Sequence, residues 1–151
     1  MTPTMIRPAT LDDVPALVEL LKEFVSMSGY TALASYDPDS AAITCAALIR
    51  REDGIVFVAM DDGAVVGAVG AMSAPGPWNR SLSTVTEIFF YVSPGWRNGT
   101  GRSLLKALRD WAKNAGASVL FMGALERNDR VGCMYRRAGF TPVEQMYVGR
   151  L

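Results

Sequence analysis

The feature that most constrains the fold is an apolar strand that leads through a glycine- and arginine-rich turn into an amphipathic helix, over residues 91–105. Such a turn directs several backbone N–H groups and the positive end of a helix dipole at one point, which suits a phosphate group. Arg97 and Arg102 flank the turn and add positive charge. A glycine-rich connection without a ligand is the alternative, because a single G-x-G motif is weak evidence. The strong strand and helix patterns on either side favour the anion-binding interpretation.

The length and charge of the chain limit its organisation and its partners. A chain of 151 residues is expected to form a single domain, 1–151, with a core of its own. Hydrophobic residues make up 50% of the sequence and charged residues 20%, as in ordinary globular proteins. The 15 basic and 15 acidic residues cancel and form no basic block. The sequence therefore disfavours a nucleic-acid partner.

Cysteine and histidine usage restricts the chemistry. Cys45 and Cys133 lie far apart, and the chain contains no histidine, so we expect no zinc or other metal site. Both thiols are expected to be buried and inert, which fits a reduced, cytoplasmic setting. We find no signal segment and no apolar run long enough to span a membrane, so no membrane partner is expected. Without histidine, acid–base chemistry must use a carboxylate, tyrosine, lysine, thiol or water.

Hydrophobic periodicity predicts the order β-α-α-β-β-β-α-β-α-β, without repeats or linkers. This order indicates one mixed α/β sheet with helices on both faces. Strands are predicted at 5–9, 55–60, 64–72, 82–92 and 118–122, with a final pair of strand segments within 140–148. Helices are predicted from Thr10 to about Ser26, from Asp39 or Ser40 to about Arg50, after the turn to about Asn114, and over 128–138.

Several residues punctuate these elements. Asp39 or Ser40 is predicted to cap the second helix. Gly54 suits a left-handed C-cap for that helix. Gly67 and Gly70 lie inside a predicted strand, which indicates a bulge or a close approach of another backbone.

Four residues are candidates for chemistry or binding, each with a plainer alternative. Glu87 lies in a strongly apolar strand, where desolvation would raise its pKa towards the range of a general base, but it could instead face solvent. Tyr135 reads locally as a core aromatic whose hydroxyl finds a partner. Asn128 reads locally as a helix cap. Trp78 is either an exposed loop residue or the wall of an acceptor pocket.

Taken in order along the chain, these motifs resemble the GNAT superfamily of N-acetyltransferases over essentially the whole length. The resemblance is carried by Ile6–Thr10 with Asp13, by Val65-Val66-Gly67, by Glu87-Ile88 leading to Val92-Ser93-Pro94, by the arginine- and glycine-rich turn, and by Asn128, Tyr135 and Gly139-Phe140. It implies acetyl transfer from acetyl-CoA to an amine. It also implies a central mixed, mostly antiparallel sheet of six to seven strands, with about four helices on both faces and with the fourth and fifth strands splayed apart.

The resemblance assigns roles to individual residues. Backbone groups of the fourth strand would line the pantetheine arm of CoA: Phe90, Tyr91 and Val92. The turn and the start of the next helix would hold the pyrophosphate: Arg97, Asn98, Gly99, Thr100, Gly101, Arg102 and Ser103. Asn128 would contact the CoA arm, Tyr135 would protonate the departing thiolate, and Glu87 matches the general base of some branches. Arg97 lies one place later than the family's Arg/Gln-x-x-Gly-x-Gly/Ala pattern has it, because Trp96 occupies that position.

The acceptor and the assembly stay open at this point. Two loops, at 26–38 and 74–81, are expected to shape the acceptor pocket, with Tyr30, Trp78 and Glu87 contacting the amine. Their mixed character argues against a polycationic acceptor, which would favour an acidic cleft. A peptide N-terminus, a lysine side chain and a small amine metabolite all remain candidates. Many family members dimerise, so a homodimer is open. The alternative function is a non-catalytic acyl-CoA-binding or interaction module, which is favoured because the position of Arg97 makes the turn look one residue shorter than the family's.

Overall fold

The computed structural model describes residues 3–126 and 129–151 of the chain, and this part contains one five-stranded sheet and four α-helices. The strands are β1 (Met5–Pro8), β2 (Gly54–Asp61), β3 (Ala64–Pro75), β4 (Ser83–Val92) and β5 (Ala117–Phe121). The helices are α1 (Val14–Ser28), α2 (Pro38–Arg50), α3 (Thr100–Asn114) and α4 (Asp129–Arg137). None of the described helices is both long enough and apolar enough to cross a membrane.

The sheet has the order β1-β2-β3-β4-β5, and its first four strands are antiparallel. β5 pairs with β4 in parallel, from Ser83 opposite Ala117 to Thr86 opposite Phe121. The ladder stops there, although β4 continues to Val92. The predicted mixed, mostly antiparallel sheet with a splayed fourth and fifth strand is therefore confirmed.

The sheet separates two hydrophobic cores, because successive side chains of a strand point to opposite faces. One core joins α1 and α2 to one face and contains Leu17, Leu21, Leu48, Val58, Phe89 and Tyr91. The other packs α3 on the opposite face and contains Val66, Val69, Val85, Val92, Leu104 and Leu108. β4 contributes to both cores, so it is fixed from both sides.

Turns and bulges shape the sheet as the glycine positions predict. Asp62 and Gly63 have φ values of 47° and 79°, the conformation of a type I′ hairpin turn between β2 and β3. The register of β3 and β4 shifts at Gly70, which confirms the predicted bulge. A Cβ at Gly70 would lie 2.5 Å from the ring of Phe89, so this glycine also allows a close approach.

Two predicted helix boundaries are wrong. Asp37, not Asp39 or Ser40, caps α2, and its carboxylate accepts a 3.2 Å hydrogen bond from the Ser40 N–H. Pro38 then takes the first helical position, where its missing N–H costs nothing. Gly54 is not a left-handed cap, because it begins β2. Its lack of a side chain is needed there, since a Cβ would lie 2.6 Å from the carbonyl oxygen of Leu48.

The prediction of a final pair of strands within 140–148 is wrong, and the described sheet has five strands instead of six to seven. Gly139 has a φ of 90° and turns the chain at the end of α4. Phe140 then packs against Tyr135 and under the Arg109 guanidinium, with its ring centroid 5.3 Å from Arg109 Cζ. The apolar ring of Phe140 therefore packs at the junction of α3 and α4 and does not belong to a strand. Pro142 has no N–H to donate to a neighbouring strand.

The two cysteines differ in their environments. Cys45 is buried, as predicted, and burial raises the pKa of its thiol to about 11. Cys133 is exposed, so the prediction of a buried thiol is wrong for this residue. It lies on the outer side of α4, whose inward residue at this level is Tyr135.

We expect Gly54→Ala to destabilise the protein by about 1–3 kcal/mol, the usual cost of overpacking. The added Cβ would meet backbone atoms of Leu48, which cannot rotate away. Gly95→Ala is the matched control, because no atom of the residues that the structure describes lies within 4 Å of its Cβ position. Its effect should stay below about 1 kcal/mol. Urea unfolding followed by circular dichroism measures both, and equal effects would contradict the close packing of Gly54.

Candidate active site

An open strand edge begins where β4 and β5 separate. The Ser93 N–H donates to the Val66 carbonyl of β3 at 2.9 Å, so this N–H points towards β3. Because direction alternates along an antiparallel strand, the peptide groups of Tyr91 also point to β3, whereas those of Phe90 and Val92 point into the gap. Two of the three β4 residues expected beside a pantetheine arm therefore present backbone groups there. Tyr91 contributes its side chain to the core under α1 instead.

The turn after β4 leads into a helix N-terminus that no side chain caps. A short 3-10 turn, Pro94–Trp96, is followed by Gly99 in the left-handed conformation, with a φ of 92°. The first helical hydrogen bond of α3 runs from the Ser103 N–H to the Gly99 carbonyl. The amides of residues 100–102 precede this bond and have no partner within the helix. This is the local arrangement that binds an anion.

Arg97 and Trp96 are both held away from this helix end. Arg97 Nε donates to the Val92 carbonyl at 2.9 Å, and its guanidinium carbon lies 5.5 Å from the centroid of the Tyr91 ring. The indole N–H of Trp96 donates to Asp61 Oδ2 at 2.7 Å. Trp96 thereby ties the turn to the hairpin between β2 and β3. Arg97 therefore occupies the Val92 carbonyl, which faces the gap between β4 and β5.

Glu87 and Tyr135 meet at one residue, Gly123, in the loop after β5. The Gly123 N–H donates to Glu87 Oε2 at 2.8 Å. The Tyr135 hydroxyl donates to the Gly123 carbonyl, also at 2.8 Å. The structure thus brings together the two residues that were predicted to do chemistry, although they are far apart in the sequence. Gly123 was not predicted, and its one local sign is a glycine just after a short apolar strand, which the structure shows to be partly exposed and not buried.

A β-bulge in β4 sets the side on which Glu87 lies. Gly70 pairs with Phe89 and Ala71 pairs with Glu87, which leaves Ile88 as the extra residue. Positions 87 and 90 would face opposite sides of a regular strand. With the extra residue they face the same side, where the Phe90 ring stacks on Tyr135 at a centroid distance of 6.4 Å.

The environment raises the pKa of both groups. Burial raises the pKa of Glu87 above its usual value, and the Gly123 N–H offsets part of this rise. Burial also raises the pKa of Tyr135, and the negative charge of Glu87 raises it further. A carboxylate with a raised pKa is a stronger base, whereas a phenol with a raised pKa keeps its proton at neutral pH and is a weaker acid. The pair is therefore suited to accept one proton and donate another.

The remaining predicted residues lie at the surface or outside the described part of the chain. Tyr30 is half-exposed in a 3-10 turn after α1. Trp78 is 96% exposed in the loop between β3 and β4, which matches an exposed loop residue more closely than a pocket wall. Asn128 lies outside the described residues.

A carboxylate-lined groove lies on the α1 side of the sheet and reaches the end of β4. It encloses about 600 Å³, and four of its lining residues are acidic: Asp12, Asp13, Glu19 and Glu23. Glu23 accepts hydrogen bonds from the Tyr91 and Ser93 hydroxyls, at 3.1 and 3.0 Å. The mixed charge of the two loops gave no sign of an acidic cleft. The helical spacing of Glu19 and Glu23 on α1 was the available signal.

We expect the stability difference between the wild type and Glu87→Gln to depend on pH. A folded-state pKa above the unfolded value means that the folded protein binds the proton more tightly. The free energy of unfolding of the wild type, relative to that of Glu87→Gln, should be highest below about pH 4.3, the ordinary pKa of glutamate. It should fall as pH rises through the raised pKa. Urea unfolding of both proteins across pH 4–8 measures the difference. A difference that grew with pH would show that the ionised form is favoured instead.

Comparisons with known proteins agree with this fold. The profile described as "Acetyltransferase (GNAT) family" matches residues 15–140. Among curated protein sequences there is no significant match.

Solved structures share the architecture at low sequence identity. A mutant of a Bacillus halodurans protein has a TM-score of 0.82 at 19% identity, covering 97% of this chain and 99% of its own. A ribosomal-protein-alanine N-acetyltransferase from Brucella melitensis biovar Abortus 2308 has a TM-score of 0.77 at 22% identity, covering 99% and 100%. The aminoglycoside N-acetyltransferase AAC(6′)-Iy, in complex with CoA, has a TM-score of 0.80 at 18% identity, covering 98% and 94%. At these identities the likeness concerns the fold. Because the family profile spans most of the chain, the protein belongs to the GNAT family of acetyltransferases.

Proposed function

We propose that the protein is an acetyl-CoA-dependent N-acetyltransferase. It moves an acetyl group to a primary amine of a small molecule, peptide or protein, by direct attack within a ternary complex. One observation carries the proposal beyond family membership: Glu87 and Tyr135 are both hydrogen-bonded to Gly123, beside the point where β4 and β5 separate. A base and an acid thus lie together at the start of an open strand edge.

The donor site has two parts, and the chain supplies both. The peptide groups of Phe90 and Val92 offer hydrogen bonds along the gap, where an extended arm with amide groups could pair with β4. The uncapped amides at the start of α3, with Arg102 beside them, suit the pyrophosphate. Gly101 lies against α4, since its Cβ would be 3.4 Å from Met134 Sδ. CoA, present in one of the structural neighbours, is the donor that these groups fit.

The proposed reaction moves one proton from the amine to the sulfur. The neutral amine attacks the thioester carbon through its nitrogen lone pair, and as the C–N bond forms the nitrogen loses one proton to Glu87, directly or through water. The C–S bond breaks as the tetrahedral intermediate collapses, and Tyr135 gives its proton to the sulfur. The Val92 N–H, which points into the gap, would stabilise the oxyanion. Holding both reactants in one site supplies much of the rate.

The acceptor is proposed only as an amine. A peptide N-terminus, a lysine side chain and a small amine metabolite fit the site chemistry equally. Tyr30 and Trp78 remain proposed acceptor contacts on the two surrounding loops. The acidic groove adds a reason to include cationic amines in any screen. A cytoplasmic location and a homodimer stay predictions.

The proposal is tested by calorimetry with CoA and acetyl-CoA, followed by an acetyl-transfer screen of amines that includes peptides, small metabolites, aminoglycosides and polyamines. We expect acetyl-CoA to bind and at least one amine to be acetylated. Binding without transfer to any amine would favour the non-catalytic acyl-CoA module. Absence of CoA binding would overturn both functions.

Tyr135→Phe should lower kcat by about 10²–10⁴-fold, the usual worth of general acid–base catalysis. CoA affinity should change little, because the ring and its contacts with Phe90 and Phe140 remain. Tyr147→Phe is the matched control, since Tyr147 is 86% exposed near the C-terminus. Steady-state kinetics with the acceptor from the screen, alongside calorimetry, measures both. An unchanged kcat would remove Tyr135 from the mechanism.

We propose that Arg97 leaves the Val92 carbonyl when CoA binds and donates to a phosphate, so Arg97→Gln should weaken CoA binding about 10-fold or more through the loss of a charge-assisted hydrogen bond. Binding of S-acetylpantetheine, which lacks the pyrophosphate, should stay the same or improve, because Arg97 now occupies the Val92 carbonyl. Arg50→Gln, at the exposed end of α2, is the matched control. Calorimetry with both ligands makes the comparison. Equal losses for the two ligands would contradict a phosphate-binding role of Arg97.

A further inference from the structure

We propose that Gly123 is a positioning residue for acyl transfer, whose N–H holds the Glu87 carboxylate in place beside Tyr135. This inference rests on the proposed function and deepens it. It concerns a residue that is neither base nor acid and acts through its backbone alone. The Gly123 carbonyl accepts a hydrogen bond from the Tyr135 hydroxyl, so the same residue contacts both functional side chains.

The position of Gly123 follows from where the β4–β5 ladder ends. The last paired residues are Thr86 and Phe121, so Glu87 and the loop after β5 are the first to lie beyond it. There the Glu87 side chain replaces a ladder bond and reaches across to the Gly123 N–H at 2.8 Å. The carboxylate is thereby held at the start of the gap.

The space around Gly123 places any added side chain against Glu87. A Cβ on this residue would lie 3.1 Å from Glu87 Oε2, and within the described part of the chain it would meet no other heavy atom within 4 Å apart from its own chain neighbours. The φ of Gly123 is outside the left-handed region, so alanine fits the backbone. An added methyl group would therefore act on Glu87 and on little else.

Gly123→Ala should change the pKa of Glu87 in a defined direction. The Gly123 N–H stabilises the ionised form of Glu87 and lowers its pKa against the opposing effect of burial. A methyl group that pushes the carboxylate away lengthens this hydrogen bond. The pKa of Glu87 should then rise further above its usual value.

Gly123→Ala, with Gly149→Ala as the matched control, is the variant that tests this. Gly149 has none of the described residues within 4 Å of its Cβ position and lies far along the chain from the site. Nuclear magnetic resonance titration of the Glu87 side-chain carboxyl carbon, without any substrate, reports its pKa directly. We expect a higher pKa in Gly123→Ala than in the wild type, and no change in Gly149→Ala. An unchanged pKa in Gly123→Ala would overturn the proposal.

Kinetics supplies a readout that a merely structural role would not move. The acidic limb of the kcat/KM profile should shift to higher pH in Gly123→Ala, in step with the titrated pKa. At the optimum, kcat should fall about 10- to 100-fold, since small misplacements of a catalytic group are costly. The KM for acetyl-CoA should stay unchanged. A rise in KM with an unmoved limb would overturn the proposal in favour of a donor-site defect.

A second background separates positioning from general damage. In the Glu87→Ala background the carboxylate is absent, so Gly123→Ala should cause no further loss of stability in urea unfolding. An equal loss of stability in both backgrounds would show that the methyl group acts elsewhere, and would overturn the proposal. Failure of the proposed function looks different: the wild type would then transfer no acetyl group, while the titration would still decide whether Gly123 holds Glu87.

Discussion

The backbone ladder between β4 and β5 ends after Thr86 and Phe121, and the candidate site depends on that early end. A strand edge that loses its partner leaves N–H and C=O groups that need another partner or water. Here β4 continues for six residues beyond Thr86 with its other edge still paired to β3. The open edge is therefore rigid, and a ligand that pairs with it meets a strand already fixed in position.

The rigidity of β4 comes from both faces of the sheet, and its bulge reconciles packing with chemistry. Phe89 and Tyr91 pack under α1 and α2, whereas Val85 and Val92 pack under α3. A regular strand could not serve both cores and also place Glu87 on the side of Phe90. The extra residue at Ile88 resolves the conflict, and Ile88 itself stays half-exposed.

The sequence predicted what depends on local pattern. The strand, turn and helix around residue 97, the hairpin at 61–63 and the bulge at Gly70 all follow from residues close in the chain. Contacts between residues far apart in the chain could not be predicted in this way. The hydrogen bond from Gly123 to Glu87 spans 36 positions, and nothing in the sequence around either residue indicates the other as its partner. The end of the chain failed for the same reason, because Phe140 reads as a strand residue and is used instead under Arg109.

The closeness of Glu87 and Tyr135 has a consequence for the timing of the proposed reaction. Burial raises the pKa of Tyr135, and while Glu87 is ionised its charge raises that pKa further. When Glu87 takes the proton of the amine, that charge disappears and Tyr135 becomes the stronger acid. This change coincides with the departure of the thiolate, which needs the proton. Afterwards a phenolate lies near a protonated carboxyl group, and return of the proton from Glu87 to Tyr135 restores both groups for the next turnover.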